Sequence, residues 1–111
     1  EHPQEEMLVA TACEKLRSTV LKLGHHGSRT SSTAPFLGCV QPEIAVAQAG
    51  FANRYGHPHF TVLQSLLAAS FQPEVGRNDV HGTVEVRTDG ESMSVRSLAG
   101  PTRWILRDSV R

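Results

Sequence analysis

Leu8, Ala12 and Leu16 recur at i, i+4 and i+8, with Val9 and Cys13 beside them. This row predicts an amphipathic helix over residues 4–16. Pro3 suits its first turn, where a missing N–H is no loss, and Glu5 and Glu6 lie near the positive end of the helix dipole. Thr19-Val20-Leu21-Lys22-Leu23 is short, β-branched and mostly apolar, and reads as a buried strand ending at Gly24. Ser31-Ser32 followed by Thr33-Ala34-Pro35 supplies a serine N-cap and a first-turn proline for a helix over 33–40, which Pro42 stops. Ile44-Ala45-Val46-Ala47 is a second buried strand. The stretch from Phe51 to His59 has no period and reads as loop. Val62, Leu66 and Ala69, with Leu63 and Leu67 on the next row, predict a helix over 60–70.

The last third alternates with period two, in Thr83-Val84-Glu85-Val86-Arg87 and again in Ser92-Met93-Ser94-Val95-Arg96. Asp89-Gly90 between them favours a tight type I′ hairpin turn. The tail from Gly100, with Trp104, Ile105 and Leu106, either adds a short strand or frays. The expected fold class is α/β (α+β layered): a mixed sheet flanked by helices, with an antiparallel hairpin at the C-terminus.

Length and charge narrow the picture. At about 150 residues per domain, 111 residues make a single small domain over 1–111, whose 100–111 tail either adds a strand or frays. Eleven basic residues balance eleven acidic ones, which excludes a protein that grips nucleic acid by a basic face alone. No apolar run approaches the ~18 residues of a membrane span. The chain begins with Glu1 rather than Met and is expected to be an excised piece. Cys13 and Cys39 have no metal-ligand spacing. They read as small buried hydrophobes, or as one disulfide if the domain faces an oxidising compartment.

Histidine is the unusual component. Six are present, four of them in His25-His26 and His57-Pro58-His59. The first pair lies in Gly24-His25-His26-Gly27-Ser28-Arg29-Thr30-Ser31-Ser32, directly after a strand, where ligands bind in open α/β sheets. The flanking glycines permit a sharp turn and close approach. Ser28, Thr30, Ser31 and Ser32 offer hydroxyls, Arg29 a charge, and the helix starting near Thr33 free N–H groups for a phosphate. The second pair closes Asn53-Arg54-Tyr55-Gly56-His57-Pro58-His59, also after a strand. H-x-H spacing on an extended segment would aim His57 and His59 the same way, as a metal pair. The plainer readings are a surface turn for the first segment and a helix cap for His59. Asp79 and His81 could close the same pocket or mark a turn, and His2 is expected at the surface.

These residues carry a resemblance. Val20 to Ser32 resembles the "LKVGHHGSRTSS" segment of the C-terminal metallo-β-lactamase-like domain of the ComEC family, the DNA internalisation proteins of natural competence. Asn53 to His59 is similar to the family's "NRYGHPH", and Arg77-Asn78-Asp79-Val80-His81-Gly82 to its "RTDRDG", with Asn78 and His81 departing. The likeness runs from Glu5 to Val95. It implies half of an αββα sandwich in a polytopic inner-membrane protein that moves single-stranded DNA. The domain itself would be soluble, with the extracytoplasmic side favoured, and would act as a metal-dependent nuclease on the strand left behind.

Carried over, His26 (or His25) is the ligand of a divalent Zn or Mn ion, with the other near the phosphate. His25 and His57 are the catalytic candidates. Ser28, Arg29, Thr30, Ser31, Ser32, Asn53, Arg54 and His57 would contact substrate, and His59 and Asp79 are further candidates. The family's upstream H-x-H-x-D-H-like motif and Gly-Asp are missing from this chain. The piece alone is therefore expected to bind metal weakly and to turn over little. Its expected partners are DNA, the rest of the parent protein and a second copy covering the cut sheet, with no small-molecule cofactor. Two rival readings are a non-catalytic DNA- or partner-binding domain and a soluble metallo-hydrolase of a small phosphoester.

Overall fold

The computed structural model describes residues 2–50, 56–97 and 103–107, with backbone only for His2, Asp79 and Arg103–Arg107. In chain order the elements are α1 (His2–Ala12), β1 (Val20–Lys22), α2 (Ala34–Val40), β2 (Ile44–Ala47), α3 (Phe60–Ala68), β3 (Glu74–Arg77), α4 (Asn78–His81), β4 (Val84–Thr88), β5 (Met93–Ser97) and β6 (Arg103–Arg107). A 3-10 turn, Cys13–Lys15, finishes the predicted first helix, which breaks at Ala12 instead of running on to Leu16.

The strands form two sheets in place of the single mixed sheet expected. One is parallel, in the order β1-β2-β3, and the other is antiparallel, in the order β4-β5-β6. β1 pairs with β2 as Val20↔Ile44, and β2 with β3 as Ala45↔Val75. The tail contributes β6, which pairs with β5. β3 and α4 are absent from the sequence-based expectation, because Glu-Val-Gly-Arg has a single large apolar residue and no period to show.

Alternation in β1 and β2 sends side chains to two different cores. Leu21, Leu23, Ala45 and Ala47 pack with Leu37, Val62 and Leu66 under α2 and α3. Val20, Ile44 and Val46 face Val84, Met93 and Val95 of the antiparallel sheet. The result is a layer of helices, a parallel sheet buried on both sides, and a second sheet. Burial on both faces explains why β2 reads as a continuous apolar run, while β1, nearer the edge, is half-buried and exposes Lys22.

Three local details depart from the sequence reading. Thr33, not a serine, is the N-cap of α2 and accepts from the Phe36 N–H. The hairpin loop is two residues longer than a type I′ turn, because Thr88 pairs with Met93. Asp89 Oδ1 accepts from the N–H groups of Glu91 and Ser92 at 2.9 and 2.8 Å, so the aspartate closes an Asx-type turn. Finally, Cys13 and Cys39 form a disulfide, the less simple of the two readings open to them.

Leu66 is fully buried, whereas its neighbour Leu67 is 80% exposed. Leu66→Ala should cost about 3 kcal/mol of stability. Leu67→Ala should stay within about 0.5 kcal/mol. Denaturant midpoints of the two variants check this, and equal losses would contradict the layer assignment.

Candidate functional site

Because β1 and β2 are parallel neighbours, the segments that follow them leave the same edge of the sheet. Both predicted histidine loops meet there. The ring of His25 lies 5.8 Å from that of His57 and 6.5 Å from that of His26, centre to centre, both in edge-on arrangements. His25 and His26 are exposed and His57 is half-buried.

The first loop turns through two consecutive left-handed residues, His25 (φ 49°) and His26 (φ 56°). Histidine is among the few residue types enriched in this region, but two in a row are unusual for side chains with a Cβ. Side-chain bonds hold the turn. Ser31 Oγ donates to Gly24 O at 2.7 Å and closes the loop on itself. Ser28 Oγ lies 3.0 Å from Thr30 Oγ1, and His25 Nδ1 lies 3.3 Å from that same hydroxyl. The serine and threonine hydroxyls predicted to face substrate are thus largely engaged in building the loop. Among the described side chains Ser32 is the exception: its Oγ is buried and has no hydrogen-bond partner.

His26 is oriented from β2. Its Nδ1 lies 2.7 Å from the carbonyl oxygen of Gln48. A carbonyl only accepts, so Nδ1 carries a proton and Nε2 is the ring nitrogen left to offer a lone pair. Metal-ligating histidines are commonly oriented this way. Even so, no three His, Cys, Asp or Glu side chains converge as metal ligands among the described residues. The described residues alone therefore supply an incomplete donor set for the divalent ion that the resemblance implies.

The two loops are pinned to each other at Gly27. Its carbonyl accepts from the His59 N–H at 2.8 Å, and its φ is 85°. A Cβ on Gly27 would stand 2.7 Å from Pro58 Cβ and 2.9 Å from Pro58 Cα, closer than atoms tolerate. His57 and His59, expected to point the same way as a metal pair, engage different neighbours. His57 turns toward His25. His59 instead caps α3, its Nδ1 accepting from the Thr61 N–H at 3.1 Å.

The N–H groups offered to a phosphate ahead of α2 are occupied. Glu5, reaching across from α1, accepts from Ser32 N at 2.6 Å, Thr33 N at 2.9 Å and the Thr33 hydroxyl at 3.1 Å. Sequence reasoning gave Glu5 only its own helix dipole, since nothing local ties it to residues 27 positions away. Arg29 stands exposed on the loop. His81 accepts the Arg77 N–H on Nδ1 at 3.0 Å, joining β3 to α4. Asn53 and Arg54 lie outside the described residues, as do the side chains of His2 and Asp79.

Burial, then the neighbouring imidazoles of His25, His26 and His59, hold His57 below the ordinary histidine value of 6.5. An unfolded chain therefore binds this proton before the folded one does, and stability falls as pH drops through the window below 6.5. The His57 ring resonance in an NMR titration should have its midpoint below 6.5. His25→Ala should move that midpoint part of the way back, because burial remains. A wild-type midpoint at or above 6.5 would refute this. Gly27→Ala should cost roughly 2 kcal/mol or more, from the clash and the positive φ together, and should displace the His57 resonance. Unchanged denaturation and spectra would show that the pin is dispensable.

No protein-family model and no solved structure matches the chain. It is 42% identical over 82 residues to ComE operon protein 3 of Bacillus subtilis, covering 74% of this chain and 10% of that protein. It is 44% identical over 81 residues to Competence protein ComA of Neisseria gonorrhoeae, covering 73% of this chain and 11% of that protein. It is 36% identical over 67 residues to Recombination protein 2 of Haemophilus influenzae, covering 60% of this chain and 8% of that protein. The chain spans about a tenth of the length of these curated relatives, and the matches support a competence-related protein of the ComEC family.

Proposed function

We propose that this chain is the phosphodiester-contacting part of a natural-competence protein, within a metallo-β-lactamase-like domain that hydrolyses DNA during uptake. One observation carries the reading: two histidine loops leave neighbouring parallel strands and are locked together by Gly27 and Pro58. This brings His25, His26 and His57 to one exposed edge. The names of the competence relatives agree with the setting.

In this reading Arg29 meets a phosphate as a cation. His57, kept neutral near pH 7, accepts a proton. His26, fixed by Gln48, offers Nε2 to whatever cation the rest of the domain helps to hold. The remaining ligands of a Zn or Mn ion belong to parts of the protein beyond this chain. Such an ion supplies Lewis acidity and an activated water when bound.

The test is a cleavage assay on the complete parent domain with single- and double-stranded DNA and added Mn²⁺ or Zn²⁺. Wild type should cut, and His26→Ala should cut about 100-fold more slowly or worse. Absence of cleavage by the wild type with either metal would overturn the hydrolase. Oligonucleotide binding that persists without cleavage would favour the non-catalytic DNA-binding reading, to which the incomplete donor set lends support.

A further inference from the structure

α1 is anchored in an unusual way. Surface helices dock by burying an apolar stripe. Among the described side chains of α1 the buried one is instead Glu5, at 6% exposure. Leu8, Val9 and Ala12 are only half-buried, and Met7 is 60% exposed. Two specific attachments hold the helix itself, while further along the chain the Ser18 N–H donates to Val40 O at 3.1 Å and the Arg17 guanidinium to the Gln41 side chain. Near its start, the Glu5 carboxylate accepts the N–H groups of Ser32 and Thr33 and the Thr33 hydroxyl. Just past its end, Cys13 is bonded to Cys39. From Glu5 to the end of α1 at Ala12 is about two helical turns, about 10 Å along the axis. Thr33 caps the start of α2 and Cys39 lies next to its last residue, so α1 grips α2 at both ends.

We propose that α1 is a redox-locked strap over the histidine loop. The disulfide holds α1 in register along α2, and that register keeps Glu5 on Ser32 and Thr33. Thiol–disulfide exchange with a dithiol breaks the Cys13–Cys39 bond, leaves two thiols, and oxidises the dithiol to its own disulfide. With one attachment gone and little apolar burial to replace it, the carboxylate leaves its donors.

The consequence reaches the candidate site through covalent neighbours. Ser31, next to Ser32, closes the loop by its bond to Gly24 O, and Gly24 precedes His25. Loosening Ser32 and Thr33 therefore loosens the closure that keeps His25 and His26 in their left-handed turn. An oxidising compartment keeps the strap fastened, and a reducing one opens it. None of this depends on the hydrolase reading.

Amide hydrogen exchange in the 111-residue chain, oxidised and then treated with a dithiol, tests the proposal. Reduction should accelerate exchange at Ser32 and Thr33 by about tenfold or more and leave β2 and β3 amides protected. Glu5→Gln in the oxidised chain should give the same acceleration, and reduction should then add little, because both act through one contact. Should that variant fail to fold, the comparison of oxidised and reduced wild type still decides. Unchanged exchange at Ser32 and Thr33 on reduction would overturn the strap. So would equal acceleration throughout β2 and β3, because the disulfide would then support the whole fold. Two thiols open to alkylation before any reduction would also overturn it.

Discussion

Pro58 packs onto Gly27 where any other residue would place a Cβ, and the Gly27 carbonyl takes the next N–H of the same segment, that of His59. The approach of the two histidine loops at the carboxyl edge of the parallel sheet depends on this contact. The pairing of β1 with β2 brings the two loops to one edge, but pairing alone leaves them free to splay. The missing Cβ lets them close until the His57 ring meets that of His25. The packing is short range and steric, so a side chain at Gly27 must push Pro58 away. The hydroxyl bonds that shape the first loop can instead be shared among Ser28, Thr30 and Ser31.

What the sequence made legible follows from how local each signal is. β1 and β2 were readable as short, nearly continuous apolar runs, and α3 because its apolar residues recur at helical spacing. The hairpin was readable because its residues alternate. The Asp89-Gly90 pair misled, because Asp89 uses its carboxylate on Glu91 and Ser92 and so lengthens the loop. β3 was invisible: Glu74–Arg77 is a strand only because it completes β2's free side, in register from Ile44↔Glu74 to Ala47↔Arg77. Glu5 was visible only as a charge, since its partners Ser32 and Thr33 are remote in sequence. The same holds for the cysteines, 26 residues apart, whose pairing needs α1 laid along α2.

The candidate site divides along the same line. Strand-end placement, paired histidines and flanking glycines pointed to the edge where His25, His26 and His57 meet. The roles within it were not legible. His59 differs from His57 by two positions, yet one caps a helix and the other joins the cluster, because each role depends on neighbours remote in sequence or on the helix that follows. The motif likeness to ComEC proteins and the curated competence relatives agree in direction.

Charge then restricts what the edge can hold. His57 is neutral near pH 7, and His26 turns its protonated nitrogen inward to Gln48. The backbone donors ahead of α2, which would attract an anion, are taken by Glu5, itself an anion. A cluster built this way presents lone pairs more than positive charge. A phosphodiester is therefore drawn to it chiefly by Arg29 or by a cation held in common with residues from beyond this chain. Eleven positive and eleven negative side chains offer no general field to compensate. The balanced composition and the lone-pair-rich edge thus make the same demand: the charge that would bring a nucleic acid to these histidines must be localised at the site.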